Sequence, residues 1–505
     1  MRGIYTSKTK IRRQIFTEIA RLAYENGDIR KLDELPYKII PGEVACYRDS
    51  VFVEREIVGE RLRVALGLSL RDIKKHSLIS EGVEASAIEE KYYEPPLINI
   101  IKFACNACPE KRIIVTDACQ RCLEHPCTEV CPKDAVELRP HRAHIIPEKC
   151  IRCGKCVEAC PYNAIVRQMR PCAHSCGVDA IGSDEYGRAE INYDRCVSCG
   201  MCLVNCPFSA IVDKGQIYQT ILALKSDAPV YAMLAPSIAG QFGPDMKPEK
   251  IRPAFQALGF KDIAEVAVGA DLCAIEEAED FIREVPNNIP FMGTSCCPAW
   301  SVMAKKLYPE HENCISMTLT PMTLTARLIK QREPDCKIVF VGPCAAKKLE
   351  ASRKSVRSYV DFVLTYEEVK GMFEAKEIDF KELPDGEPMK YASADGRGFA
   401  VTGGVANAVV NVIKRLDSQR EVSVQKAEGL QNCRQMMKMA KAGKYNGFLL
   451  EGMACPGGCI GGAGTMEPLK KSEASLNQMK KQAVIQESLD SEFVSLLPEL
   501  KVFKK

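Results

Sequence analysis

The sequence contains no run of about 18 uncharged apolar residues, so no membrane-spanning helix is expected. Its first residues, MRGIYTSKTKIRRQIF, lack the apolar stretch of a secretory signal, and a cytoplasmic location is expected. Neither sign of charge is in excess. The 69 Lys and Arg and 66 Asp and Glu leave a formal net charge of +3, which offers little to nucleic acid or an acidic membrane. Residues 1–100 have no paired cysteines and no chemical motif. A 46% hydrophobic content argues against disorder, and 505 residues are too many for one ordinary core, so two or three domains are expected.

Cysteine is what the chain has in excess. There are 26, more than half of them between Cys119 and Cys206, many only two residues apart. Without a secretory signal, such crowding means metal or redox chemistry rather than a disulfide framework.

The texture divides the chain. Residues 1–100 read as a small, mainly helical region that packs on the rest as cladding: Ile11, Ile15, Ile19 and Leu22 recur at helical spacing. Leu62, Val64, Leu66, Leu68 and Leu70 alternate, which predicts a short half-buried strand. Residues 101–220 are the cysteine-rich region, where CPKDAV, CPYNAI, CGVDAI and CPFSAI begin at Cys131, Cys160, Cys176 and Cys206, the mark of a duplicated unit. Residues 225–470 read as an α/β domain. Its apolar strands VYAMLAP, KIVFVGP and YNGFLLEGMA each run into a Gly/Pro/Cys turn, with helical patterns between them, as at 299–308 and 403–416. Special residues thus fall at strand ends, the usual place for a site in an open sheet. Residues 471–505 read as a charged helical tail.

Cys150, Cys153, Cys156 and Cys160 form a C-x2-C-x2-C-x3-C-P run, and Cys196, Cys199, Cys202 and Cys206 repeat it. This is the bacterial ferredoxin spacing, in which three thiolates bind one [4Fe–4S] cube and the fourth reaches another. A zinc site would want two C-x2-C pairs instead. Cys119, Cys122, Cys127 and Cys131 are a variant with one longer gap. The crossing rule groups Cys119, Cys122 and Cys127 with Cys160, and Cys150, Cys153 and Cys156 with Cys131. Cys176, placed as a fourth ligand would be, joins Cys196, Cys199 and Cys202. Cys206 then joins Cys105, Cys108 and Cys172, which completes four cubes. For this last cube two alternatives stand: Cys105 and Cys108 are unligated, or His125 or His174 takes a place. An array of cubes suits one-electron transfer between the surface and a buried site, and the region resembles the multi-cluster subunits of anaerobic oxidoreductases.

Three segments follow in order: Thr294-Ser295-Cys296-Cys297-Pro298-Ala299-Trp300, Gly342-Pro343-Cys344-Ala345-Ala346-Lys347-Lys348-Leu349-Glu350, and Glu451-Gly452-Met453-Ala454-Cys455-Pro456-Gly457-Gly458-Cys459-Ile460-Gly461-Gly462. The only tryptophan lies in the first. Together they resemble the three signature segments of the iron-only ([FeFe]) hydrogenases. The resemblance implies a two-lobed α/β catalytic domain, here behind a ferredoxin-like α+β relay. It implies that Cys297, Cys344, Cys455 and Cys459 hold a fifth cube, and that Cys459 bridges it to a two-iron subcluster carrying CO, cyanide and a dithiolate, the whole forming the H-cluster. It also implies that Cys296 exchanges a proton with the bridging amine of that centre. Lys347 would donate to a cyanide, and Ala235, Pro236, Ser237, Pro343 and Met453 would line the pocket. Glu277, Asp280, Ser316 and Arg283 resemble the proton channel, although Arg283 falls one residue early and Asp280 replaces glutamate; helix-surface charges and a cap are the alternative for these four. The glycines after Cys455 and Cys459 are expected to let the backbone approach the cofactor closely.

The chain departs from the best-studied members at Gly342, where they have methionine, and at Leu319 and Met322, which replace polar positions. It shows neither the N-terminal [2Fe–2S] domain nor the C-terminal sensory domain, which suggests a stand-alone, divergent enzyme. The implied activity is the interconversion of H2 with protons and electrons. The implied partners are a ferredoxin or similar one-electron carrier and the maturation proteins of the two-iron centre. A hydrogen or redox sensor, which would want an output domain, and an iron–sulfur assembly factor are the rival functions. Cys46, Cys273, Cys314, Cys336 and Cys433 have no sequence partners and are expected to be buried free thiols.

Overall fold

The N-terminal helix Ser7–Tyr24 begins at Thr6, whose hydroxyl accepts the Thr9 N–H, and buries Ile15, Ile19 and Leu22 along one face. Each such side chain contributes roughly 1.5–3 kcal/mol when fully buried. That face packs on helix Tyr366–Ala375, with Phe16 against Gly371, where a Cβ would stand 2.6 Å from the Phe16 Cβ. These helices share one core with the neighbouring sheet, through Leu32, Leu62, Val339 and Phe373. This computed structural model describes residues 5–353 and 359–501.

The alternation at 62–70 is not a strand. Helix Val51–Ala65 carries Leu62 and Val64, and the chain turns at Leu66 and Gly67. The helix is enclosed on nearly every side, so its hydrophobic pattern is too broad to show a helical period. The tail is not merely a charged helix either. After helix Leu469–Lys481 the chain returns to bury Phe493, Leu497 and Leu500 in the second lobe.

The α/β part has two parallel sheets. One orders strands Asp262–Glu265, Val230–Leu234, Lys337–Val341 and Phe362–Leu364. The other orders Met292–Gly293, Phe448–Met453 and Ser423–Glu428. Four strand ends point their following loops at one place: Ala235-Pro236-Ser237, Gly342-Pro343-Cys344, Thr294 to Cys297, and Ala454 to Cys459. Each buried strand delivers its loop at the carboxyl edge, where an α/β sheet leaves room for a site.

The cysteine-rich region is built from antiparallel pairs, among them Arg112–Val115 with Ile165–Gln168 and Ile98–Ile100 with Ile211–Asp213. Its sequence repetition is a backbone repetition. In the first C-x2-C pair of each stretch the residue before the second cysteine is left-handed: Ala107, Arg121, Arg152 and Ser198 have φ of 43, 48, 59 and 55°. So is the fourth residue of each CPKDAV-type repeat, with φ of 46 to 56° at Asp134, Asn163, Asp179 and Ser209. Three of those four are Asp or Asn, which enter this region most easily after glycine. The bend presents an N–H to sulfur: Ala135 to Cys131 Sγ and Ala180 to Cys176 Sγ, both at 3.2 Å. No helix among the described residues is long and apolar enough to cross a membrane.

Candidate functional site

The relay thiols stand in four groups. Burial raises Cys127, and the nearby thiols Cys160, Cys119 and Cys122 add to the rise. Burial pushes Cys156 up to about 11, helped by Cys131, Cys150 and Cys153, and these four line a cavity of about 20 Å³. Cys202 is lifted far above the ordinary thiol range by burial, then by Cys199, Cys196 and Cys176. Burial and then Cys206 push Cys172 up to about 11, and Cys105, Cys108, Cys172 and Cys206 line a cavity of about 10 Å³. Neither of these two cavities has a histidine in its lining. Burying thiolates together is costly, and a cationic iron core reverses the cost by holding the sulfurs deprotonated. Such donor sets fit [4Fe–4S] cubes.

The catalytic signature segments converge on one apolar cavity of about 90 Å³. Cys297, Cys344, Cys455 and Cys459 line it from three loops, together with Cys296, Lys347, Ala235, Pro236, Ser237, Pro343 and Met453. Burial lifts Cys344 to about 11 and Cys459 to about 12, with Cys297 the next cause in both. Four thiols around an apolar space fit a fifth cube. Cys199 also lines the cavity, which places one relay quartet directly against it.

Lys347 lies on helix Ala345–Ser352, and its Nζ is 2.8 Å from Glu350. Burial would lower this ammonium, but Glu350 outweighs burial and holds it above its ordinary value. A retained cation with donors to spare in an apolar wall suits an anionic occupant. Glu350 also accepts from Thr320 Oγ1 at 2.5 Å. It lies within the quoted second segment, yet nothing in the spacing assigned it a part.

Glu277 sits on helix Val266–Glu284 and is fully buried, so the helix-surface alternative does not describe it. Its Oε1 accepts from Ser295 N at 2.9 Å and Ser295 Oγ at 3.2 Å, while Oε2 has no hydrogen-bond partner. Burial raises the carboxyl to about 7 against the pull of Ser295 and of Ser316, whose hydroxyl approaches without closing a bond of normal geometry. Ser316 Oγ accepts from Thr318 N at 3.2 Å, and Thr318 Oγ1 reaches Asp280 at 3.4 Å. Asp280 pairs with Arg283, whose side chain is 62% exposed. These groups run to solvent from Ser295, whose chain neighbour Cys296 lines the cavity. No role for Thr318 or Ser295 was legible in the spacing, because only the fold of their loops brings their N–H groups and hydroxyls to Glu277, Ser316 and Asp280.

The departures have structural counterparts. A Cβ at Gly342 would stand 2.5 Å from Phe340 Cε1, so the Phe340 ring fills the space a longer residue would need. Met322 lines the cavity and is wholly buried, whereas Leu319 packs against the second-lobe core. Gly458 and Gly462 line the cavity and also answer a demand within the chain. A Cβ at Gly458 (φ 87°) would meet Thr402 N at 2.8 Å, and one at Gly462 the Pro343 carbonyl at 2.6 Å, so close backbone contacts within the chain also require glycine at both positions. Cys46 is exposed, while Cys273, Cys314, Cys336 and Cys433 are buried.

Comparison with known proteins agrees with this geometry. Residues 228–463 match the family described as "Iron only hydrogenase large subunit, C-terminal domain", and residues 143–166 and 188–211 each match a 4Fe-4S binding domain. The chain is 31% identical to iron hydrogenase 1 of Clostridium pasteurianum over 66% of this chain and 67% of that protein. It is 29% identical to the periplasmic [Fe] hydrogenase large subunit of Nitratidesulfovibrio vulgaris, over 64% of this chain and 86% of the other. A probable cytosolic Fe-S cluster assembly factor of Aedes aegypti is 27% identical over 45% of this chain and 58% of its own. With its signature loops meeting at one cavity and its likeness to a curated iron hydrogenase spanning two thirds of both chains, this protein belongs to the iron-only hydrogenase family.

Proposed function

We propose that the protein catalyses the reversible interconversion of H2 with two protons and two electrons. The observation that carries this is the single apolar cavity shared by Cys296, four further thiols, Lys347 and the relay thiol Cys199. When bound, the cube and two-iron centre would supply the site of H–H cleavage and formation and the first electron acceptor.

Cys297, Cys344, Cys455 and Cys459 would hold the cube, with Cys459 shared with the two-iron centre. Lys347 would anchor a cyanide, and Ala235, Pro236, Ser237, Pro343 and Met453 would exclude water. Burial, and next Glu277, lift the Cys296 thiol far above its ordinary value, so it stays protonated and serves as a donor at Sγ. Glu277, poised near neutrality, would recharge it, and Ser316, Asp280 and Arg283 would connect Glu277 to solvent. Electrons would leave through the quartet containing Cys199 toward a ferredoxin-like one-electron carrier. Exposed Cys153, with Leu123, Ile151 and Tyr162 projecting nearby in sequence, supports docking at the outer quartets.

The assembly-factor reading is favoured only by the likeness to such factors over less than half the chain. Infrared spectroscopy of protein matured with the two-iron centre decides between them: CO and cyanide bands with hydrogen evolution are expected, and cubes without those bands after maturation would favour the assembly factor. Iron and sulfide analysis should return five cubes plus two further irons, and iron for only two cubes would sink the relay.

A further inference from the structure

The quartet Cys105, Cys108, Cys172 and Cys206 has surroundings unlike those of the other three. Lys8 Nζ donates to the carbonyls of Leu203, Val204 and Cys206 at 2.9, 3.1 and 3.0 Å. Arg48 Nη2 donates to Ala104 O at 3.1 Å and Phe208 O at 2.8 Å, next to Cys105 and two residues past Cys206. Arg61, 6% exposed, bonds the carbonyl and hydroxyl of Ser209. Arg170, 4% exposed, donates twice to Cys108 O, at 3.0 and 2.9 Å. Three of these four cations come from the N-terminal 100 residues.

None of the four forms an ion pair with a carboxylate among the described residues. The acids that act on Arg61 from further off are Asp213 and Glu367, which are engaged by Lys348 and Arg12. Buried cations without acid partners are costly unless another anion compensates them. Around the other quartets such contacts come from less buried side chains: Arg167 on Cys153 O at 3.2 Å, Lys306 on Asp194 O and Cys196 O at 2.8 and 3.3 Å, and Arg195, itself paired with Asp179, on Val178 O at 3.1 Å. Apart from Asn106 and Arg170, the small cavity of the quartet is walled by thiols and apolar residues such as Ile100, Ala189 and Ile211, so the cube-facing side of the site screens the field little.

We propose that the N-terminal region, with Arg170, forms a cationic shell that raises the reduction potential of a cube held by Cys105, Cys108, Cys172 and Cys206. The proposal rests on the relay reading above. A four-thiolate cube is anionic in both redox states and carries one more negative charge when reduced. Fixed positive charge therefore stabilises the reduced form, and net charge and hydrogen bonding are the recognised controls of these potentials. Cys172 is a neighbour of Cys202, and Cys199 of the same loop lines the catalytic cavity, so an electron held here waits one step from the inner quartet. The two-electron chemistry gains a place to store the first electron. Lys8, Arg48 and Arg61 are positioning residues in this account, acting on the cube through its field.

The test is a potentiometric titration of the full chain, reconstituted with iron and sulfide and followed by electron paramagnetic resonance. Lys8→Gln and Arg48→Gln keep a donor and remove a charge. Each should lower the reduced fraction of one cube severalfold at fixed potential, and the double variant about tenfold, which is about 59 mV for a one-electron couple. Lys8→Arg should leave that wave in place. Lys8 lines an open groove of about 470 Å³, so its variants disturb little packing. Cys108→Ala should delete the same wave. Unmoved waves in the double variant, or an equal shift in Lys8→Arg, would overturn the shell. Cys108→Ala with every wave retained would instead show that this quartet holds no cube.

Discussion

Glu277→Gln separates proton transfer from structure. The amide oxygen can still accept the Ser295 N–H, and the new NH2 replaces Oε2, which has no partner to lose. Shape and burial persist while the exchangeable proton disappears. Positioned acid–base groups contribute roughly 10²–10⁴-fold, or about 3–5 kcal/mol of barrier. Hydrogen evolution with a reduced dye should fall by that range with CO and cyanide bands intact. Stability should move the other way. The carboxyl is raised from 4.5 to about 7, so the folded state holds the proton more tightly than the unfolded chain. This group therefore costs nothing below pH ~4.5. Its cost grows as pH rises through about 7, to about 3 kcal/mol at 1.36 kcal/mol per unit. Glutamine has no such cost, so the variant should unfold later than the parent at pH 8 and equally at pH 4. Near-normal turnover with intact bands would refute the proton route through Glu277, and a variant less stable than the parent at pH 8 would refute the buried, poised carboxyl.

Cys296→Ala should keep the whole cofactor by infrared and lose at least about a hundredfold in turnover. Serine should rescue poorly because its hydroxyl is a far weaker acid, while aspartate should rescue in part; loss of the cofactor bands would mean the roles of Cys296 and Cys297 are exchanged. Cys459→Ser should abolish the CO and cyanide bands while the relay signals survive, and bands at full strength would remove Cys459 as the bridge. Gly452→Ala would place a methyl 2.1 Å from Trp300 Cδ2, an overpacking that should cost about 1–3 kcal/mol in thermal or denaturant unfolding, and a parent-like midpoint would contradict that packing.

What could be read locally was read well. Helix Ser7–Tyr24 follows from Ile15, Ile19 and Leu22, and strands Val230–Leu234, Lys337–Val341 and Phe448–Met453 follow from apolar runs ending in turns. The alternation at 62–70 misled because an enclosed helix carries apolar residues all round, and period-2 and period-3.6 patterns then overlap. Cys46 misled because burial is a property of neighbours, and a lone thiol names none.

By itself the sequence determined whatever the chain geometry settles within a few residues. The C-x2-C loops are of this kind: two intervening residues and one left-handed turn suffice to aim two thiols at one point, wherever the loop is placed. So are the three signature segments, whose chemistry is written in consecutive residues. Only the tertiary structure decided what those loops face. Cys199 meets the cavity of Cys344 and Cys455, Phe340 fills the space at Gly342, Glu277 sinks beneath Ser295, and Lys8 bonds a carbonyl 198 residues away at Cys206. Such contacts are made when separate helices and sheets share one core, and the field and dryness they create arise from three-dimensional packing that no local spacing contains.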